Sequence, residues 1–133
     1  MASKPKKAAD LARKIWRTQG FCEYCGKTKE NVQLQGAHII GVGTAIRISS
    51  DIRNGYSLCS YHHRWFHDHV DDFVEWRDTT WAKEYVSILR ELARPGQGQK
   101  IDWDYRISFL QDILQNIEAG RLTIAQARKL EDR

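Results

Sequence analysis

Apolar side chains recur at helical spacing in three stretches of the chain. In each stretch an alanine, leucine, isoleucine or aromatic residue returns every three or four positions, which predicts an amphipathic helix. Gly20 and Gly120 stand just past the first and third stretches, where a glycine is typical of a helix C-terminus. The predicted helices cover about residues 8–18, 81–92 and 103–117.

A different pattern fills residues 21–57, which are rich in glycine and β-branched residues and contain short apolar pieces such as AHIIGV. This pattern predicts a knuckle, a short strand, a long loop and a return strand. A helix is predicted to begin near Ser60 and to carry YHHRWFHDH. The proline and glycines of residues 94–99 are expected to end the helix before them, and Thr123 with Gln126 resembles a capping box that opens a short last helix.

Positive charge is concentrated at the start of the chain. The formal net charge is +4, and residues 1–20 hold six of the 21 Lys and Arg residues against a single acid. That basic arm either contacts phosphates or is a solvated tail. It lacks the apolar core of a secretory signal, and no apolar run of the chain approaches the ~20 residues of a membrane span. We therefore expect a cytoplasmic protein without a membrane partner.

Cysteine and histidine residues are unevenly distributed. The twelve residues LCSYHHRWFHDH hold four of the five histidines and one of the three cysteines. An odd number of cysteines without a secretory signal favours a metal site over a disulfide framework. No βαβ pattern surrounds the first cysteine pair, which argues against a redox motif.

Two pairs of candidate ligands have the spacing of a structural zinc site. CEYC, from Cys22 to Cys25, is a C-x2-C pair, and CSYH, from Cys59 to His62, is a C-x2-H pair. Each pair can bind one tetrahedral ion from a tight turn, and Zn²⁺ accepts thiolate and imidazole ligands together. Gly26, directly after the second cysteine, suits the turn of a zinc knuckle. We therefore predict one structural Zn²⁺ held by these four ligands.

Four histidines remain outside this predicted zinc site. His63 and His67 are four residues apart and share one face of the predicted helix, a spacing that suits a metal ion. The alternative is that His67 and His69 are surface residues at the helix end, which is the preferred interpretation for His69. His38, in QGAHIIG, has the surroundings of an ordinary strand residue, but it lies in the loop between the two zinc pairs and therefore near the Cys59 helix.

The order and spacing of His38, Asn54 and His63 resemble the HNH motif, and CEYCG, GAHI and DIRNGYSLCSYHHRWFH surround them. Over about residues 16–70 the chain looks like a member of the HNH (ββα-metal) endonucleases, of the zinc-stapled kind found in phages and in junction-resolving enzymes. The resemblance implies a small α+β fold, in which a ββα-metal core is flanked by N- and C-terminal helices within one domain. Its parts are a basic arm and helix (1–20), the zinc-stapled nuclease core (21–72) and a helical extension packed on the core (73–133).

The same resemblance implies a role for each motif residue. His38 matches the general base that activates a water molecule to attack a phosphodiester, and Asn54 matches the residue that fixes the hairpin and orients that base. His63 matches the closing metal-binding position, and His67 matches the extra helix histidine of colicin-type members. The implied activity is hydrolysis of DNA with one catalytic divalent ion. If the enzyme is encoded by a phage, it acts in the host cell.

One position departs from the family pattern. Many members place Asp or His directly before the base as a second metal ligand, and this chain has Ala37 there. Either His67 supplies the missing ligand, or Asp51 or another acid does, or the ion is held loosely. Ligation by histidine favours Mn²⁺, Ni²⁺, Co²⁺ or Zn²⁺ over Mg²⁺, which prefers oxygen ligands.

Arg47, Arg53 and Arg64 flank the motif in the sequence, and we expect at least one of them to contact a DNA phosphate. A solvent-facing arginine is an equal alternative for each of them taken singly. The competing function is a non-catalytic zinc module that binds nucleic acid or protein. His38 and Asn54 favour the nuclease, because a binding module has no use for a base and a residue that orients it. The sequence predicts no oligomeric state.

Overall fold

The computed structural model describes residues 2–43, 45–95 and 100–131. Helices account for most of the regular structure in these residues and one two-stranded antiparallel sheet completes it, so the predicted α+β class is confirmed. Short 3₁₀ helices cover Ile46–Ile48, Ile52–Asn54 and Trp81–Tyr85. The other elements are, in chain order, α1 (Lys4–Arg17), β1 (Leu34–His38), β2 (Gly55–Cys59), α2 (Ser60–Asp68), α3 (Val70–Arg77), α4 (Val86–Ala93), α5 (Trp103–Glu118) and α6 (Ile124–Lys129).

The two strands form a hairpin that has a helix on each face. β1 and β2 pair antiparallel, with His38 at the end of β1 opposite Gly55 at the start of β2. Successive side chains of a strand point to opposite faces, so Gly36 and His38 share one face and Ala37 belongs to the other. α1 packs on the face of Gly36 and His38, and α2 contacts both strands directly after β2 ends.

Two hydrophobic cores hold these elements together. The first joins α1 to α5, α6 and the segment before β2, and its buried members are Ala8, Ala12, Ile15, Trp16, Ile52, Leu110, Ile113 and Ala127. The second joins the other face of the hairpin to the knuckle, α2 and the Trp81 segment, and its buried members are Cys22, Ala37, Ile39, Tyr56, Leu58, Cys59, Phe66 and Ala82. No helix among the described residues is both long enough and apolar enough to cross a lipid bilayer.

Two glycines let α1 approach the hairpin closely. A Cβ atom at Gly55 would lie 2.0 Å from ring carbons of Trp16, and a Cβ atom at Gly36 would lie 2.7 Å from the Cα of Arg13. Both separations are far inside van der Waals contact. Trp16 also donates its indole N–H to the carbonyl of Ile52 at 3.0 Å. The helix and the hairpin are therefore fitted to each other at positions 36 and 55, where any side chain would force them apart.

The predicted helices are present, although some ends differ. α1 begins at Lys4 rather than near residue 8, because the side chain of Ser3 accepts a capping hydrogen bond and Pro5 suits the first turn. Most of the basic arm is therefore helical. α2 begins at the predicted Ser60, and the predicted capping box opens α6.

Two features after α2 differ from the predictions. The stretch predicted as one helix over residues 81–92 begins as a 3₁₀ helix and becomes α-helical only at Val86. α3 has no counterpart among the predicted elements, and its eight residues give the helical spacing of its apolar side chains little length in which to repeat. α4 ends at Ala93, before the predicted break, and residues 96–99 of that break lie outside the described residues.

Replacing Gly55 with alanine is expected to destabilise the fold by about 2 kcal/mol, in the middle of the range for overpacked sites. The added methyl group meets the ring of Trp16, so α1 has to move away from the hairpin. Gly41→Ala is the matched control, because no heavy atom lies within 4 Å of a Cβ placed there. Unfolding in urea, followed by far-UV circular dichroism, measures both variants. Equal midpoints would show that α1 does not press against position 55.

Candidate metal centre and histidine cleft

Four candidate ligand atoms lie close together at one end of the hairpin. One atom each from Cys22, Cys25, Cys59 and His62 lies within 4.8 Å of all the others. Tetrahedral zinc places two thiolate sulfurs about 3.8 Å apart, and a sulfur and an imidazole nitrogen about 3.6 Å apart. The Sγ atoms of Cys25 and Cys59 are 4.0 Å apart, and the Sγ of Cys59 is 3.2 Å from the Nδ1 of His62. The four residues can hold a metal ion, and their spacing is compatible with structural zinc.

Local backbone geometry brings each pair of ligands together. In the knuckle, Cys22 donates its N–H to the carbonyl of Lys27 and its own carbonyl accepts the N–H of Gly26, both at 2.8 Å. Gly26 has a φ of 80°, a left-handed conformation that glycine adopts without strain. In the second pair, Cys59 caps α2, because its Sγ accepts the N–H of His62 at 3.4 Å. The positive end of the helix dipole favours a thiolate at that position.

Glu23, between the two knuckle cysteines, anchors the knuckle to the rest of the fold. Its N–H donates to the carbonyl of Ser57 at 2.8 Å, and its carboxylate accepts the N–H of Ser57 at 2.7 Å. The same carboxylate accepts the indole N–H of Trp81 at 3.0 Å, and the guanidinium of Arg128 lies 3.4 Å from the centre of that ring. The knuckle is therefore tied both to β2 and to the C-terminal helices.

Three histidines line one cleft. His38 from β1 and His63 and His67 from α2 surround a space of about 460 Å³, whose other described walls are apolar or glycine. Among the described residues no carboxylate lines it. The structure therefore brings together the three imidazoles that the sequence assigned to the base and to the catalytic ion.

His38 is held in one tautomer. Its Nε2 lies 2.8 Å from the carbonyl oxygen of Ser49, and because a carbonyl only accepts, Nε2 carries the proton and Nδ1 keeps the lone pair. Burial lowers the pKa of His38; the bond to Ser49 opposes this change and the charge of Arg13 adds to it. The ring of Trp16 contacts the imidazole edge-on, with centroids 5.3 Å apart. The imidazole is therefore oriented and neutral at pH 7.

Asn54 fixes the loop that follows His38. Its side chain is fully buried, and its Oδ1 accepts the N–H of Ile40 at 2.7 Å. Its Nδ2 donates to the carbonyls of Ile40 and Ile48, each at 3.1 Å. Both ends of the loop are thus fastened to the start of β2, and the next residue after Ile48 is the Ser49 that holds His38. The orienting role of Asn54 stays a prediction.

The two helix histidines have different surroundings. The Nδ1 of His63 lies 2.7 Å from Oε1 of Gln35, so Nδ1 donates and the lone pair of Nε2 is left for another ligand. The rings of His63 and His67 have centroids 5.2 Å apart. Burial lowers the pKa of His63, and the charges of its neighbours add to this effect. His69 lies outside the cleft, where it is exposed and stacks on Trp65. This is the surface position predicted for it.

The three predicted phosphate-binding arginines lie in different environments. Arg53 is buried and donates to both carboxylate oxygens of Asp51, at 2.8 and 2.6 Å. This pairing does not support a phosphate contact for Arg53, and it also keeps Asp51 from serving as the missing ligand of a catalytic ion. Arg47 lines a separate cavity of about 290 Å³ beside α5. Arg64 is exposed on α2, in a shallow surface groove.

Two residues of the site were missed from the sequence. Gln35 orients His63. A glutamine in a strand gives no signal of that role in the sequence. Arg13, on α1, lies against Gly36, and its charge contributes to the lowered pKa of both His38 and His63. Its position depends on how α1 packs, which no local pattern encodes.

Comparisons with known protein families, with curated proteins and with solved structures found no match to the chain. The function is therefore inferred from the residues and geometry of the site itself. Three features define that site: the cluster of three cysteines and one histidine, the cleft with three imidazoles, and the loop fastened by Asn54.

His62→Ala is expected to abolish stoichiometric metal binding, whereas His69→Ala retains about one ion per chain. Only the first variant loses a side chain of the four-ligand cluster. Both proteins are prepared with zinc, passed over a desalting column and measured for bound metal and for helix content. Because metal binding contributes folding free energy in small sites, the His62 variant also melts at a lower temperature. Full metal content in the His62 variant would rule out this cluster as the binding site.

Proposed function

We propose that the chain is a metal-dependent DNA endonuclease of the HNH type, which hydrolyses phosphodiester bonds. The observation that carries the proposal is the cleft in which His38 meets His63 and His67. One imidazole is kept neutral by burial and oriented by a backbone carbonyl, and the other two lie one helical turn apart. A proton acceptor beside a nitrogen-rich ion site is the combination that metal-assisted hydrolysis of a phosphodiester requires.

His38 is the general base in this proposal. Its Nδ1 takes the proton of the attacking water, while Nε2 keeps its own proton on the carbonyl of Ser49. The lowered pKa leaves the imidazole in its basic form at pH 7. Trp16 and the loop fastened by Asn54 restrict rotation of the ring, so the base is oriented before the substrate binds.

His63 and His67 are the proposed ligands of the catalytic ion. The donor set fits such an ion, because His63 directs Nδ1 to Gln35 and keeps Nε2 for coordination, and His67 lines the same cleft. A bound divalent ion supplies a Lewis acid that stabilises negative charge on the phosphate and on the leaving oxygen. With Ala37 before the base and no carboxylate among the described walls of the cleft, the ligands favour Mn²⁺, Co²⁺, Ni²⁺ or Zn²⁺ over Mg²⁺.

The cluster of Cys22, Cys25, Cys59 and His62 is the proposed structural Zn²⁺ site. Three thiolates and one imidazole would fill the four positions of a zinc ion and would leave none open for chemistry. The ion would connect the knuckle to the junction of β2 and α2. Since His63 directly follows the last of these ligands, the structural ion would also hold in place the helix turn that presents the catalytic histidines.

Arg13, whose charge acts on the cleft, and Arg64, in the separate surface groove on α2, are the proposed phosphate contacts. Arg13 pairs with Asp10 at 3.0 Å, yet its side chain remains 37% exposed, so the guanidinium can reach a ligand. Its charge already acts on His38 and His63. The other basic residues of α1 extend the positive surface, which suits a DNA backbone.

His38→Ala is expected to lower the rate of DNA cleavage by roughly 10²–10⁴-fold, the usual effect of losing a general base. The assay uses supercoiled and branched DNA with saturating Mn²⁺ or Ni²⁺. His69→Ala serves as the matched control, because it removes an imidazole of the same helix region that lies outside the cleft. Bound zinc and melting temperature are measured for both variants, so that loss of activity is not confused with loss of the fold.

Two results would contradict the nuclease assignment. One is cleavage by His38→Ala at the wild-type rate under saturating metal. The other is a wild-type protein that binds DNA and its structural ion but cleaves neither substrate with Mn²⁺, Co²⁺, Ni²⁺ or Zn²⁺. Either result would favour the competing function, a zinc module that binds nucleic acid without cutting it.

A further inference from the structure

A second basic surface lies outside the HNH-like core. The α3–α4 groove, a space of about 660 Å³ that is more polar than the histidine cleft, lies where α3 ends and α4 runs past it. Its charged lining residues are Arg77, Lys83, Arg90, Arg94, Asp78 and Glu91. Arg77 is buried and its Nε donates to Asp78 at 3.2 Å, so one of the two carboxylates is already engaged by a cation at the base of the groove.

The other three cations are available to a ligand. Lys83, Arg90 and Arg94 are exposed, and within the described part of the chain no side chain forms an ion pair or a hydrogen bond with them. Arg90 and Arg94 are one turn apart at the C-terminal end of α4, and Lys83, in the preceding 3₁₀ helix, lines the same groove. Cations in the last turn of α4 also stabilise that helix through its dipole. This effect fades within one turn, so it does not account for the exposed charge of Lys83.

The groove is connected to the histidine cleft through two elements. Phe73 of α3 lines the cleft and Arg77 lines the groove, so four residues of helix, about 6 Å, separate the two along α3. On the other side, α4 packs against the 3₁₀ helix Ile46–Ile48, directly before the Ser49 that holds His38. A nucleic acid bound at His38 can therefore also contact the groove if it is longer than a few nucleotides.

We propose that the α3–α4 groove binds the sugar-phosphate backbone of DNA outside the segment that occupies the cleft. The proposal rests on the nuclease function proposed above and adds a second contact region, formed by the C-terminal extension. Exposed cations in a row are suited to phosphates, whose neutralisation releases counterions and makes affinity strongly dependent on salt. The groove contributes to affinity and to placement of the DNA, and none of its residues lines the histidine cleft.

Salt dependence of DNA binding tests the proposal. The double variant Arg90→Gln/Arg94→Gln is compared with Lys29→Gln/Lys129→Gln, which removes the same charge from other exposed positions. Binding of a duplex oligonucleotide is measured by fluorescence anisotropy at several salt concentrations with no added divalent ion, and cleavage is measured separately. All four side chains are exposed, so melting temperatures should remain close to wild type.

The groove variant is expected to reduce the slope of log affinity against log salt by about 2, because each phosphate that the protein no longer neutralises lowers the slope by close to 0.9. The control variant should change the slope much less, and cleavage at saturating DNA should stay at the wild-type rate. An unchanged slope in the groove variant, or an equal fall in the control, overturns the groove proposal even if the protein is a nuclease. A reduced slope in a protein that does not cleave DNA supports the groove and contradicts the nuclease function.

Discussion

The hydrogen bonds of the buried Asn54 amide are the constraint on which the site depends. The amide binds backbone groups of Ile40 and Ile48, and thereby fastens both ends of the loop after β1 to the start of β2. A buried amide left without partners would cost about 1–3 kcal/mol, so the loop and the amide hold each other in place. The carbonyl of Ser49, next along the chain, then orients His38. One side chain thus fixes the imidazole proposed as the base.

The helices complete the site from both faces of the hairpin. α1 can approach because positions 36 and 55 are glycine, and it contributes the ring of Trp16 against His38. α2 begins at the cysteine–histidine cluster and carries His63 and His67 into the cleft. The C-terminal extension is also part of this arrangement, since the Glu23 carboxylate joins the knuckle to Trp81. Stability of the fold and geometry of the site therefore depend on the same contacts.

Sequence reasoning succeeded where the signal is local. The spacing of CEYC and CSYH predicted the four-residue cluster, and the i, i+4 relation predicted that His63 and His67 share a face. It gave no information on which polar side chains are buried. At least one of Arg47, Arg53 and Arg64 was expected to contact a phosphate, and the sequence did not indicate that Arg53 forms a buried ion pair with Asp51.

Long-range contacts explain the remaining omissions. Gln35 bonds to His63, and Arg13 lies close enough for its charge to act on the histidines, only because α1 and α2 pack on the paired strands. α3 was not predicted, and its aromatic residues pack against Phe66 of α2 and Tyr56 of β2. For Gln35 and Arg13 the deciding partner lies far away in the chain.

The protonation state of His38 tests the account most directly. Long-range ¹H–¹⁵N correlation spectra, assigned by comparison with His38→Ala, report which ring nitrogen carries the proton across a pH titration. We expect a neutral ring at pH 7 with the proton on Nε2, and a pKa below the ordinary value of 6.5. A proton on Nδ1, or an imidazolium that persists above pH 6.5, would contradict this expectation.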